Sequence, residues 1–168
     1  MIYNILNGDG LAYSFAESNI AGEIIVCREA FIDGELAGGD LPTFWQSRAT
    51  FLSIPNAEYQ EKVVKEFDKI INATDGAEFN LWFEYDLFCQ VNMWFVLSMI
   101  QSLSIKKTVN AVYTAHLAET DKQFWNGFGL ANSEELNICK SNRITLNEAD
   151  LNLGTALWSA YKGVILKN

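Results

Sequence analysis

One stretch limits the fold more than any other: residues 78–103, EFNLWFEYDLFCQVNMWFVLSMIQSL. Residues 79–83 are short, apolar and aromatic, the pattern of a strand covered on both faces. Glu84, Tyr85 and Asp86 break the run. From 87 to 103 the chain is apolar for too long to be one strand, and no Gly or Pro interrupts it, so the spacing predicts a helix. Its polar residues, Gln90, Asn92, Ser98 and Gln101, are uncharged. A helix apolar nearly all round is a buried one. The uncharged run is too short for a membrane span. Strand, acidic turn and buried helix together call for an α/β sheet, and such sheets bind ligands beyond the carboxyl ends of their strands.

The rest of the chain repeats the alternation. Strands are expected at 2–6, 23–27, 79–83 and 108–114, with a short edge strand at 143–146. Helices are expected at 11–19, 43–53, from Pro55–Asn56 to 73, 87–103, from 132 onward, and from 145 to 162. Tyr59, Val63, Phe67, Ile70 and Ile71 mark the buried face of the third helix, and Leu153, Leu157 and Tyr161 that of the last. Thr145 and Glu148 have capping-box spacing, as do Asn132 and Glu135. Gly163 is expected to stop the last helix. Residues 117–130 have the aromatic and glycine content of a packed flap. The reading is one domain over 1–168: a Rossmann-like parallel sheet of four to five strands with helices on both faces.

Right-handed crossovers would gather the turns at Asp9, Arg28, Glu84–Asp86 and His116 on one sheet edge. Gly8, Asp9 and Gly10 form a tight turn after the first strand, with Asp9 as a helix cap or a ligand residue. The turn is neither a phosphate loop nor the full dinucleotide fingerprint. Arg28 either clamps an anion or pairs with Glu29, Glu84 or Asp86. Cys27 beside it is either a thiol of lowered pKa or an inert core residue. Arg48 reaches the crevice or solvent. Asp86 is an N-cap, a role that leaves room for a functional one, and Gln90 lies one turn on. Glu84 and Asp86, with His116, are the candidate acids and bases. For His116 an ordinary loop histidine is the competing reading. Asp9, Glu84 and Asp86 are candidate ligands for magnesium, a hard cation that takes carboxylates.

The formal charge of −9 disfavours nucleic acid as a partner, because phosphate neutralisation needs basic residues. No basic tract points to a membrane surface. The N-terminus lacks the charged region and cleavage site of a signal peptide. Cys27, Cys89 and Cys139 are widely spaced and odd in number, as expected of reduced thiols in the cytoplasm. A lone histidine disfavours structural zinc. Oligomeric state is left open.

Four blocks carry a family resemblance: ILNGDGLAYSF (5–15), GEIIVCREAFIDGEL (22–36), LWFEYDLFCQVNMWFVL (81–97) and RITLNEADLNLGTALWSAY (143–161). With Trp45 and Arg48 they resemble the bacterial domain of unknown function 1835 family. The third block is the most specific, through Asp86, Leu87 and Gln90. Tyr85 stands where the family often has histidine, and relatives often continue into a helical C-terminal region. The resemblance implies the α/β fold and picks out Asp9, Arg28, Glu29, Arg48, Glu84, Asp86 and Gln90; it implies no activity. Two functions fit. One is a domain that binds a small anionic, phosphorylated or nucleotide-like ligand, with phosphoryl or acyl chemistry as its reaction. The other is a regulatory or protein-interaction domain. A receiver-like version of the second lacks a lysine after a well-formed fifth strand.

Overall fold

The computed structural model describes residues 1–36, 38–114 and 127–165. In chain order the elements are β1 (Ile2–Asn7), α1 (Asp9–Ala16), β2 (Glu23–Cys27), α2 (Leu41–Phe51) and α3 (Asn56–Tyr59). A π-helical segment (Gln60–Val64) runs on into α4 (Lys65–Ile71), then β3 (Ala77–Trp82), α5 (Leu87–Ser102) and β4 (Lys107–Val112). A 3-10 turn (Phe128–Leu130), α6 (Ser133–Ser141), β5 (Ile144–Thr145) and α7 (Glu148–Ile165) follow. The sheet order is β2-β1-β3-β4-β5. β1 to β4 are parallel, and the two-residue β5 runs antiparallel to β4. The fold is α/β and Rossmann-like. The chain leaves β1 to one side for β2, then crosses back to β3 on the other, so the topological switch point lies between β1 and β3.

Each face of the sheet is covered. One holds the larger core, with Phe31, Phe44, Trp45, Phe67, Phe95 and Trp158 in mutual contact, and is roofed by α2 to α5 and α7. The other is smaller: Leu6, Phe15, Trp82, Val112, Phe128 and Leu136 pack under α1 and α6. α5 is buried over most of its length, as its uncharged sequence requires.

Register is fixed by polar side chains as well as apolar ones. Asn4, Asn80, Asn110 and Thr145 are cross-strand partners in one row. Asn80 donates to Asn4 Oδ1 at 3.4 Å, Asn110 to Asn80 Oδ1 at 3.0 Å, and Thr145 to Asn110 Oδ1 at 2.8 Å. The three asparagines are almost wholly buried. A one-residue slip would break the row and orphan its members, so the ladder specifies the pairing. The β2 edge is closed by α4: Glu66 accepts from Val26 N, and Lys69 Nζ donates to Ile24 O. Those are the groups through which an open edge would pair with another chain.

Several local expectations are corrected. Ile71 is exposed, and of the charged face Glu61, Lys62, Lys65, Glu66 and Lys69, which helical spacing predicts to be solvated, Glu66 and Lys69 turn inward to β2. α7 buries Leu151, Gly154 and Trp158, while Leu153 is exposed. The stripe shifts because Gly154 lets α7 approach α5: a Cβ there would lie 2.6 Å from Leu97 Cδ1. Thr145 belongs to β5, and the α7 cap is Asn147, whose side chain accepts from Ala149 N and Asp150 N while the Asp150 carboxylate accepts from Asn147 N. Gly163 does not stop α7, which runs on to Ile165. The Asn132–Glu135 capping box is present.

Candidate functional site

β1 and β3 end side by side, and their turns supply the groups at the switch point. After β1, Gly8 takes φ +88°, a conformation natural only to glycine. A Cβ built on Gly8 or Gly10 would meet nothing within 4 Å. α1 then starts with no side-chain cap, so its first amides have no partner from a capping side chain. Asp9 is not the cap that sequence expects. It is the first helical residue, and its carboxylate accepts from Arg28 Nε at 2.9 and 3.0 Å. Arg28 also donates from Nη1 to Lys62 O in the π-helical segment, where wider winding alters the carbonyl pairing. Arg28 therefore pairs with Asp9, with Glu66 next at 4.0 Å. It keeps a third of its side chain exposed.

After β3, Asp86 caps α5 by accepting from Cys89 N at 3.0 Å. Gln90 reaches back to Glu84 O at 2.6 Å and holds the turn closed. The Glu84 carboxylate accepts from Phe128 N at 2.7 Å. Gly127, at φ +64°, lies against that carboxylate so closely that a Cβ would collide with it. Glu84, Asp86 and Cys89 thus converge, with one ligand-competent atom from each within 4.8 Å of the others. Magnesium ligation by Asp9, Glu84 and Asp86 is the sequence expectation. Here Cys89 stands with the two carboxylates, and Asp9 is held by Arg28.

Cys89 is nearly buried, and Asn7 Nδ2 donates to its Sγ at 3.0 Å. Burial, the hydrogen bond to Asp86 and the charges of Asp86 and Glu84 push its thiol up to about 12. Asn92 completes the arrangement from the wholly buried side of α5. Its amide nitrogen donates to Asn7 Oδ1 at 2.9 Å and to Glu29 O at 2.7 Å, and its oxygen accepts from Phe31 N. One side chain therefore ties the ends of β1 and β2 to α5.

Two of the expected ligand residues are engaged elsewhere. Arg48 is completely buried and reaches neither crevice nor solvent. It binds Glu29 through Nε and through Nη2 at 2.7 Å, and donates to the carbonyls of Ala30, Asp33 and Glu35. All five of its N–H groups are occupied. Glu29 also accepts from Tyr59 Oη and Ala30 N. This pair anchors the 28–36 loop and offers no donor to a ligand. Cys27 beside it is core, and burial raises its pKa, so the lowered value is overturned. His116 lies outside the described residues, as does most of the 117–130 flap.

Of these groups, Asn7, Cys89 and Gly127 were not singled out as site residues in the sequence. Asn92 had one legible signal: a carboxamide in an otherwise apolar helix. The cleft of about 240 Å³ bounded by Phe44, Phe95, Trp158 and Lys162 lies toward the far end of α5. Asp40, Ser98, Ser102 and Lys162 are its polar lining, and the converged ligand atoms of Glu84, Asp86 and Cys89 lie elsewhere, so we place the candidate site at the switch point. Comparison with protein-family models, curated proteins and solved structures finds no match.

Proposed function

We propose that this chain is a ligand-binding α/β domain that holds a divalent cation and a small anionic molecule, phosphorylated or nucleotide-like, between the ends of β1 and β3. One observation carries the reading. The two turns flanking the switch point pair a helix start without a side-chain cap, after β1, with converged carboxylates after β3. Free helix amides attract an anion, while the charge of Arg28 on that side is offset by Asp9 and by Glu66 at 4.0 Å. Glu84 and Asp86 would repel the same anion unless a cation lay between them, so the arrangement fits an anion–cation pair. With a substrate in place, phosphoryl or acyl transfer is the matching chemistry. The resemblance to the domain of unknown function 1835 family and a bacterial cytoplasmic setting belong to this proposal. Three free, buried cysteines fit a reducing compartment. Among the described residues, no helix is long and apolar enough to cross a membrane.

A second reading, protein interaction, is favoured by Tyr85, Leu87 and Phe88, which are 44%, 53% and 38% exposed at the same turn. Thermal unfolding separates the two. It is run with Mn²⁺, nucleotides and sugar phosphates, alone and combined, on the wild type and on Asp86→Asn. Asparagine caps as well as aspartate, so this variant removes charge and keeps the helix start. A ligand at a hundred times its dissociation constant adds about 2.7 kcal/mol. That corresponds to a rise of about 5 to 10 °C for a chain of this size. A rise that needs the cation and is lost in Asp86→Asn supports the ligand site. No rise with any combination turns the assignment to protein interaction.

A further inference from the structure

The cluster after β3 is not made of carboxylates alone. Glu84 and Asp86 bring oxygens, and Cys89 brings a sulfur within 4.8 Å of both. Magnesium takes oxygen donors and keeps several waters, and a sulfur gives it nothing. Zinc and cobalt accept thiolate and carboxylate together.

Two further observations bear on the sulfur and on the space beside it. Asn7 Nδ2 donates to Cys89 Sγ at 3.0 Å, and Asn7 is itself held by the fully buried Asn92. Asn7 is half-buried, and the thiol it meets is a weak acceptor that would become a strong one as a metal-bound thiolate. Outer bonds of this kind orient a ligating atom. Thr114 is the second. It is 1% exposed, and its Oγ has no hydrogen-bond partner among the described residues. It lies two residues past the end of β4, and extending the β3–β4 register beyond the strands puts it on the Glu84 side. Trp82 and Val112 are register partners, so two residues further on Thr114 stands level with Glu84. Tyr85 and Tyr113 stack at 5.1 Å on the opposite face, while Glu84 bonds to Phe128 N and Phe128 packs on Trp82. Buried hydroxyls are almost always completed by something, so this one points to a polar occupant beside Glu84.

We propose that the switch-point site takes a divalent transition ion of the zinc or cobalt type, bound by Cys89 Sγ and the carboxylates of Glu84 and Asp86, in preference to magnesium. The inference rests on the cation reading above and names the cation's class. Bonds of 2.0–2.3 Å set tetrahedral ligands about 3.5 Å apart, so atoms that lie within 4.8 Å of one another draw together by at most about 1.3 Å on binding. As the metal–sulfur bond forms, the Cys89 proton leaves to solvent and no electron is transferred. Three protein ligands leave the fourth position to water or to a ligand oxygen.

The test is a cobalt titration of the full chain, followed by absorption and by calorimetry, with zinc and magnesium as competitors. The wild type should develop a near-ultraviolet sulfur-to-cobalt charge-transfer band that saturates at one equivalent. Zinc should erase it, and a large excess of magnesium should not. Cys89→Ser should lose the band and bind zinc at least about tenfold more weakly, with an unchanged circular dichroism spectrum. Cobalt bound without the band, and equally well by Cys89→Ser, would overturn the inference and leave an all-oxygen cation site standing. A band that persists in Cys89→Ser would also overturn it, by assigning the sulfur to another cysteine. No heat and no band with any ion would overturn the cation reading as well.

Discussion

Arg48→Met should destabilise the protein by about 3 kcal/mol. Removing one partner of a buried ion pair costs about 3–5 kcal/mol, because the other charge stays buried and uncompensated. Here Glu29 would keep Tyr59 Oη and Ala30 N, while the carbonyls of Ala30, Asp33 and Glu35 would lose their donors. Methionine is unbranched and apolar and fills part of the same space, which offsets some of the loss and favours the lower end of the range. With a urea m-value of about 2 kcal/mol/M, the unfolding midpoint should fall by about 1.5 M. Adding Glu29→Gln should recover part of the loss, and the double-mutant cycle should show coupling above about 1.5 kcal/mol. A midpoint shift below about 0.4 M, near 0.8 kcal/mol, with ligand binding abolished, would contradict a structural role for Arg48 and return it to the crevice.

Asn92→Leu should cost about 2–4 kcal/mol, since Asn7, Glu29 and Phe31 each lose a partner; equilibrium denaturation reads it. Asn80→Leu should cost about as much by interrupting the ladder between Asn4 and Asn110, again read in urea. Gly127→Ala forces a Cβ onto the Glu84 carboxylate at a left-handed φ, so it should lower stability by about 1–2 kcal/mol and weaken cation binding measured by calorimetry. Stability should fall at alkaline pH. Burial raises the Cys27 thiol, and Cys89 and Cys139 are pushed up to about 12 and about 11 from an ordinary 9.0. The unfolded chain therefore releases protons that the folded one keeps, and stability is full below pH 9.0 and declines through the folded values. Urea midpoints at about pH 8 and pH 10.5 should show the drop, with native thiols slow to react with a disulfide reagent.

The sheet was legible because its strands announce themselves. EIIVC is the whole of β2, and 78–103 encodes β3, the acidic turn and α5 almost to the residue. Asp86 as a cap was legible from its place between a strand and an apolar run. Arg48 was not: no local pattern says whether an arginine reaches outward or into a buried carboxylate nineteen residues away. Of the two readings of Asp9, the cap fails because α1 starts one residue earlier than that reading needs, with Gly8 at the cap position, and the Asp9 carboxylate accepts from Arg28. Cys89 looked like one apolar residue among many. Only the fold shows that its position in the first turn of α5 brings the sulfur to Asn7, Glu84 and Asp86. Leu153 looked like a core residue by spacing, and a glycine one position on changed which face meets α5.

Cation binding at the ends of β1 and β3 is open to a direct test: manganese added at substoichiometric amounts to isotope-labelled protein, read through paramagnetic broadening of backbone amide signals. Signals from Asn7, Gly8, Glu84, Asp86, Cys89 and Gln90 should be lost early and selectively, with no such loss in Asp86→Asn. Broadening spread over the acidic surface of this chain, whose formal charge is −9, and unchanged in Asp86→Asn, would contradict binding at those strand ends.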